Sequence, residues 1–80
     1  MLCYVAILTP TSNDLPEQVF VNETELGAQR AACLFLGREV EWEPALDQPS
    51  LAHGIRLLAR TSDRTGTSYL VLIFLRRVGN

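Results

Sequence analysis

Few residues in this 80-residue chain have the types and spacing that chemistry requires. Glu39, Glu41 and Glu43 alternate, which places three carboxylates on one side of an extended segment. The single histidine, His53, lies in a proline-containing stretch with no titratable neighbour at a useful spacing. General acid–base catalysis needs titratable groups that converge on one point. The sequence therefore predicts a protein that is not an enzyme, with a carboxylate-only hydrolase as the enzymatic alternative.

The patterns that hold metals and cofactors are also missing from the sequence. There is no Cys-x-x-Cys or His-x-x-x-His spacing for a metal, no glycine-rich phosphate loop and no lysine. The two cysteines, Cys3 and Cys33, both lie in apolar runs, which is typical of buried reduced thiols; the alternative is a disulfide, which requires the two runs to pack together. We therefore predict no catalytic residue, no metal and no cofactor.

Charge is divided unequally along the chain. Residues 1–50 contain eight acidic residues and two arginines, whereas residues 51–80 contain five arginines and one acidic residue. The two parts carry −6 and +4, which gives the net charge of −2. The exclusive use of arginine has two interpretations: the base composition of the source genome, or a surface that makes planar bidentate contacts.

Two long apolar runs must form the centre of the fold. Residues 69–78 and residues 2–8 are apolar almost throughout, which indicates strands that are buried on both faces. Neither run is long enough to cross a membrane as a helix, which takes about 20 residues. We predict that the two strands are neighbours, and that both sheet faces need a cover.

Only one good helix is available as a cover. Asn22 and Glu25 have the spacing of a capping box, residues 23–36 have helical periodicity, and Gly37 is a C-terminal stop. The face that should pack on a sheet consists of Ala28, Ala31, Ala32 and Phe35. Glu23 and Glu25 lie in the predicted first turn, where the helix dipole favours negative charge.

The remaining segments complete an antiparallel sheet. Residues 17–21 alternate, as do residues 38–43, in which Val40 and Trp42 point one way and the glutamates the other. A loop over residues 44–54 follows, and then a hairpin of residues 55–61 and 67–78 around a turn at 62–66. The sequence predicts a single α+β domain over residues 1–80, in the order β-β-α-β-β-β, with one helix on an antiparallel sheet of about five strands.

The face of the sheet away from the helix is the predicted binding site. Arg56, Leu58 and Arg60 share one side of their strand. A hairpin loop of two or four residues would place them beside Tyr69, Val71, Ile73 and Leu75, and a three-residue loop beside Leu70, Leu72 and Phe74. An exposed apolar row rimmed by charge usually marks an interface. The predicted partner-binding residues are Arg56, Arg60, Arg64, Tyr69, Glu39, Glu41 and Glu43; the alternative is a solvated face with cross-strand Glu–Arg pairs.

The layout of residues 17–22, 23–36, 38–43 and the final hairpin resembles small phage-encoded anti-CRISPR inhibitors. Some of these are single domains of this size with one helix on an antiparallel sheet. The resemblance implies an inhibitor of a bacterial CRISPR-Cas defence complex, a nucleic-acid-binding host assembly, in the host cytoplasm. The family members use lysine-rich surfaces, whereas this chain has no lysine, so no family residue is carried over.

Two other functions fit the sequence. The arginine-rich hairpin could bind nucleic acid with stacking aromatic residues, although the net acidic charge argues against it. The open face could instead join two copies in a homodimer, as in a small self-associating subunit of a larger assembly. The short run at residues 2–8, without a preceding basic region, does not match a signal peptide, so the expected location is the cytoplasm without membrane association.

Overall fold

A computed structural model describes residues 2–12, 14–45 and 54–77 of the protein. These residues form the strands β1 (Leu2–Pro10), β2 (Gln18–Asn22), β3 (Glu43–Pro44), β4 (Ile55–Ser62) and β5 (Ser68–Arg77), and the helix α1 (Glu25–Leu36). The five strands form one antiparallel sheet in the order β2-β1-β5-β4-β3. The predicted α+β fold, with one helix and five strands among the described residues, is confirmed.

The two apolar runs lie side by side at the centre of the sheet, as predicted. β1 and β5 pair over nine positions, from Leu2 with Arg77 to Pro10 with Tyr69. Their alternate residues supply most of the core beneath the helix, where Ala6, Leu8, Val71 and Ile73 are fully buried. Burial of large aliphatic side chains contributes about 1.5–3 kcal/mol each, so this pair of strands holds the fold together.

The helix begins two residues later than the capping-box pattern predicts. Thr24 is the N-cap, and its hydroxyl accepts a hydrogen bond of 2.9 Å from the Gly27 N–H. The Asn22 side chain instead accepts from the Thr24 N–H at 3.3 Å, in the turn before the helix. Gly37 ends the helix in the left-handed conformation, with φ of 74°, as expected for a C-terminal glycine.

The buried face of α1 differs in part from the predicted one. Ala28, Ala32 and Leu36 are buried, at successive spacings of four residues. Phe35 remains 39% exposed. The centre of its ring lies 5.9 Å from the centre of the Phe20 ring and 5.8 Å from that of Tyr69. The small alanines let the helix approach the sheet closely, and Leu36 fills the volume at its end.

The strand predicted over residues 38–43 is wrong except at its last residue. β3 consists only of Glu43 and Pro44, which pair with Leu58 and Leu57. Val40 and Trp42 nevertheless pack against the core, so their alternation reflects one-sided burial without a hydrogen-bonded ladder. Of the predicted loop over residues 44–54, residues 46–53, with His53, lie outside the described residues.

The predicted hairpin of β4 and β5 is confirmed, and its loop is five residues long. Ser62 pairs with Ser68, so residues 63–67 form the loop. The Asp63 carboxylate accepts hydrogen bonds from the Thr65 N–H and hydroxyl, at 2.9 and 2.7 Å, and from the Thr67 N–H at 3.0 Å. These hydrogen bonds, the Thr65 hydroxyl foremost, lower the pKa of Asp63. The odd loop length selects the second of the two predicted alignments.

A close approach between the helix and the end of β2 gives a first testable prediction. Alanine at a helix-interior glycine usually stabilises by about 1 kcal/mol. At Gly27, however, a methyl group would overlap the Asn22 side-chain amide. We expect Gly27→Ala to be about 1–2 kcal/mol less favourable in the native background than in an Asn22→Ala background. Urea unfolding of the four proteins in this cycle measures the coupling, and equal effects in both backgrounds would contradict it.

Candidate functional site

The sheet has two faces, and α1 covers only one of them. Residues of β1, β5 and β4 alternate between a helix face, with Ala6, Ile73 and Ala59, and the opposite face. We call that opposite face the open face. By the strand register it consists of Cys3, Val5, Ile7, Thr9, Val19, Val21, Leu58, Arg60, Leu70, Leu72, Phe74 and Arg76.

The open face has an apolar centre whose exposure rises toward one edge. Cys3 and Phe74 are 4% and 6% exposed. Val5 and Ile7, which lie nearer to β2 on the same face, are half-buried. On β2, Val19 is 53% and Val21 is 65% exposed. No helix or strand of the described residues packs on this face. An apolar sheet surface of this kind commonly marks an interaction site.

Two arginines of the open face, Arg60 and Arg76, lie toward its rim, and the position of Arg60 is the predicted one. Arg60 is exposed and stands opposite Leu70, the alignment that an odd hairpin loop requires. Arg56 is exposed within a bulge between Ile55 and Leu57. Arg76 places its guanidinium 4.4 Å from the centre of the Phe74 ring, a cation–π contact that covers the aromatic side chain.

The predicted glutamates are distributed over two places. Glu43 stands opposite Leu58 and so reaches the rim of the open face. Glu39 and Glu41 lie outside any strand, in a cleft that they share with Arg38 and Arg60. Among the described residues, neither Arg56 nor Arg60 forms an ion pair with a carboxylate. Within the described part of the chain, the cross-strand pairs of Glu39, Glu41 and Glu43 with Arg56 and Arg60 that a solvated face would favour are therefore not formed.

Two other predicted partner-binding residues, Tyr69 and Arg64, lie away from the open face. Tyr69 is 6% exposed and belongs to the helix face, where it meets the Phe35 ring edge-on. Arg64 donates from its Nε to the Gly37 carbonyl at 2.7 Å. This guanidinium thus caps the C-terminal end of α1, where the helix dipole favours a positive charge. Neither side chain points to the open face.

Next to Arg60, a groove that the sequence did not predict combines basic and hydroxyl groups. It is open, has a volume of about 750 Å³, and is lined by Thr11, Arg38, Arg60, Thr61, Ser62, Ser68, Tyr69 and Leu70. Arg38 is held there by bonds from its Nη1 to the Ser62 carbonyl and hydroxyl, at 3.2 and 3.3 Å. Its distance of 24 residues from Ser62 left no local sequence signal for this contact.

The described residues contain no cluster of three or more side chains that could hold a metal ion. Both cysteines are free: Cys3 is buried and Cys33 is half-buried. Burial raises the pKa of the Cys33 thiol, and the charge of Glu39 raises it further, so this thiol stays protonated at neutral pH. Among the described helices, none is long and apolar enough to cross a membrane.

Comparisons of the chain with protein-family models, with curated proteins and with solved structures find no match. A functional proposal for this protein therefore rests on the geometry of the open face and of its rim.

Proposed function

We propose that this protein is a small non-enzymatic binding protein that covers part of a partner protein with its open face. The observation that carries the proposal is the apolar centre of the open face, which no helix or strand of the described residues covers. Interface cores are apolar and poor in charge, and they are surrounded by a polar rim. The open face has this arrangement, with Leu70 and Leu72 in the centre and Arg60 at the rim.

The arginines support a protein partner in particular. Arginine is enriched among the residues that dominate binding energy, because its planar group makes bidentate and stacking contacts. Arg56 and Arg60 are exposed and have no carboxylate partner among the described residues. Because both side chains are exposed, they could contact acidic groups on the surface of another protein.

Inhibition by occupation is the most concrete form of this proposal. A protein without convergent catalytic groups can act by blocking a surface that its partner needs. The resemblance to anti-CRISPR inhibitors stays a prediction, with a bacterial nucleic-acid-binding defence complex as the partner it implies.

Charge reversal at the arginines tests the proposal. We expect an Arg56→Glu, Arg60→Glu variant to lose at least about 90% of the partner that wild-type protein captures from a bacterial lysate, because two arginine contacts with acidic groups of the partner become repulsive. The captured protein is then purified and titrated against each variant. Single Arg60→Glu and Arg30→Glu variants provide a matched pair, since Arg30 is an exposed arginine on the helix. Equal binding by these two would contradict the proposed site.

Sedimentation of the same variants separates a foreign partner from a second copy. A stable symmetric dimer through the open face should bury about 800 Å² on each copy. A monomeric wild type agrees with a foreign partner. A wild-type dimer that dissociates on charge reversal would assign the open face to self-association instead.

The groove beside Arg60 favours nucleic acid as a second candidate. Two arginines and five hydroxyl side chains line it, and such groups contact phosphate oxygens in protein–DNA complexes. Fluorescence anisotropy with single-stranded DNA at 20 and 200 mM salt tests this function. A steep loss of affinity with salt would support it, and no binding at 20 mM salt would exclude it.

A further inference from the structure

We propose that the outer edge of β2 accepts an extended strand from the partner, and that this strand carries basic residues at both ends. The inference rests on the proposed function, since it specifies how a partner of the open face would dock. Its occupant is an extended peptide segment of another protein, which adds a sixth strand to the sheet.

The two edges of the sheet differ in how they are protected. β3, at one edge, has only two residues, and these are an exposed glutamate and a proline, Glu43 and Pro44. Very short strands, charges and prolines are the usual devices that prevent edge pairing. β2, at the other edge, reads Gln-Val-Phe-Val-Asn and contains none of the charges or prolines. Among the described strands only β1 pairs with it, so alternate N–H and C=O groups of β2 face outward.

β2 is also held in the conformation that a docking strand needs. Phe20 points under the helix, where its ring lies 5.9 Å from the ring of Phe35. Val19 and Val21 point to the open face and are its most exposed apolar side chains. A strand added beside β2 would cover the outer sides of both valines. The partner would thus continue the open face, and the free protein would need little rearrangement.

Carboxylates flank β2 at both ends. The acidic residues of this region are Asp14, Glu17, Glu23 and Glu25, and no basic residue occurs between positions 11 and 29. Glu17 is oriented by the Thr9 hydroxyl, which donates to its Oε2 at 2.8 Å. Glu23 is exposed directly after the strand. Opposite charges on neighbouring strands attract and like charges repel, so the edge favours a strand with a basic residue at each end.

The same carboxylates disfavour a second copy of this chain. An antiparallel pair of β2 strands centred on Phe20 would place Val19 opposite Val21. It would also place Glu17 of each copy opposite Glu23 of the other. These like-charge pairs at both ends argue for a foreign strand at neutral pH.

Peptide titration tests the edge directly. The probe is a capped peptide, Lys-Thr-Val-Thr-Val-Thr-Lys, added to 15N-labelled protein and followed by backbone amide shifts. We expect shifts centred on residues 18–22, and at least about tenfold weaker binding when glutamate replaces both lysines. A peptide with proline at both valine positions lacks the alternate N–H groups, and it should not bind. In a Glu17→Lys, Glu23→Lys variant, the acidic peptide should bind more tightly than the basic one.

The outcomes separate this inference from the proposed function. Shifts outside residues 18–22, equal affinity for the basic and acidic peptides, or unchanged preference in the charge-swapped variant would each overturn the β2 site. So would a wild-type dimer at pH 7 that protects the β2 amides from exchange. The proposed function would survive any peptide result if capture still depended on Arg56 and Arg60. It would fail separately if that capture were insensitive to charge reversal.

Discussion

Replacing Ile73 with alanine should lower the free energy of unfolding by about 2–5 kcal/mol. Ile73 is fully buried at the centre of the helix face, opposite Ala6 on β1 and Leu57 on β4. Alanine would leave a cavity that two flanking strands and the helix cannot all close. A chain of this size has a total stability of about 4–12 kcal/mol, so the variant should be close to unfolding. Urea unfolding followed by far-UV circular dichroism measures the loss.

Leu72→Ala is the matched control, one residue away on the same strand. Leu72 points to the open face, where it is half-buried between Ile7 and Leu58. Because its surroundings are partly solvated, we expect at most about half of the loss found for Ile73→Ala. Equal losses would show that the open face is as fully packed in the free protein as the helix face, which would contradict the binding proposal.

The elements with strong and consistent local signals are the ones that the sequence predicts well. The apolar runs of β1 and β5, the turn residues of the hairpin and Gly37 after the helix each combine composition with an unambiguous terminator. The predicted helix start, with Asn22 as the cap, is wrong because Thr24 is also a good cap and lies two residues later. Only the three-dimensional turn decides that Thr24 caps the helix and Asn22 stabilises the turn before it.

The segment over residues 38–43 shows where an alternating pattern misleads. Alternation indicates one-sided burial, and Val40 and Trp42 are indeed turned toward the core. A strand also needs a neighbour for its backbone hydrogen bonds. Here Arg38 comes directly after the C-terminal cap of the helix, Gly37, and its N–H donates to the Cys33 carbonyl at 3.2 Å. The chain pairs with β4 only from Glu43 onward. Whether residues 38–42 lie within hydrogen-bonding distance of β4 depends on the tertiary structure, so the local sequence pattern could not reveal it.

The length of the hairpin loop decides which residues of β5 share the open face with Arg60. Thr61, Ser62, Thr67 and Ser68 are all acceptable as either strand or turn residues, so the sequence allowed both alignments. A five-residue loop places Arg60 beside Leu70 on the open face, and it places Tyr69 on the helix face, where the side chain is buried. The position of Arg60 could thus be predicted from parity alone, whereas the position of Tyr69 could not, and the bulge at Arg56 interrupts the alternation.

Substituting Leu70 with glutamate should weaken partner binding about 30-fold or more, with a loss of less than about 1.5 kcal/mol in the free energy of unfolding. Leu70 lies on the open face between Thr9 and Arg60. A carboxylate there would put a charge into the apolar centre, where a disrupted anchor residue costs about 2 kcal/mol of binding. The fold should tolerate the change, because the new carboxylate would stand opposite the Arg60 guanidinium.

Isothermal titration of the purified partner against wild type, Leu70→Glu and Leu70→Met measures the binding term. Leu70→Met keeps an apolar side chain of similar volume, so it should retain affinity within about fivefold. Thermal unfolding of the same three proteins gives the stability term. The proposal is refuted by a Leu70→Glu protein that is folded and still binds like wild type. Equal loss of binding in both variants would instead mean that the partner requires the shape of leucine at this position, and the open face would remain the interface.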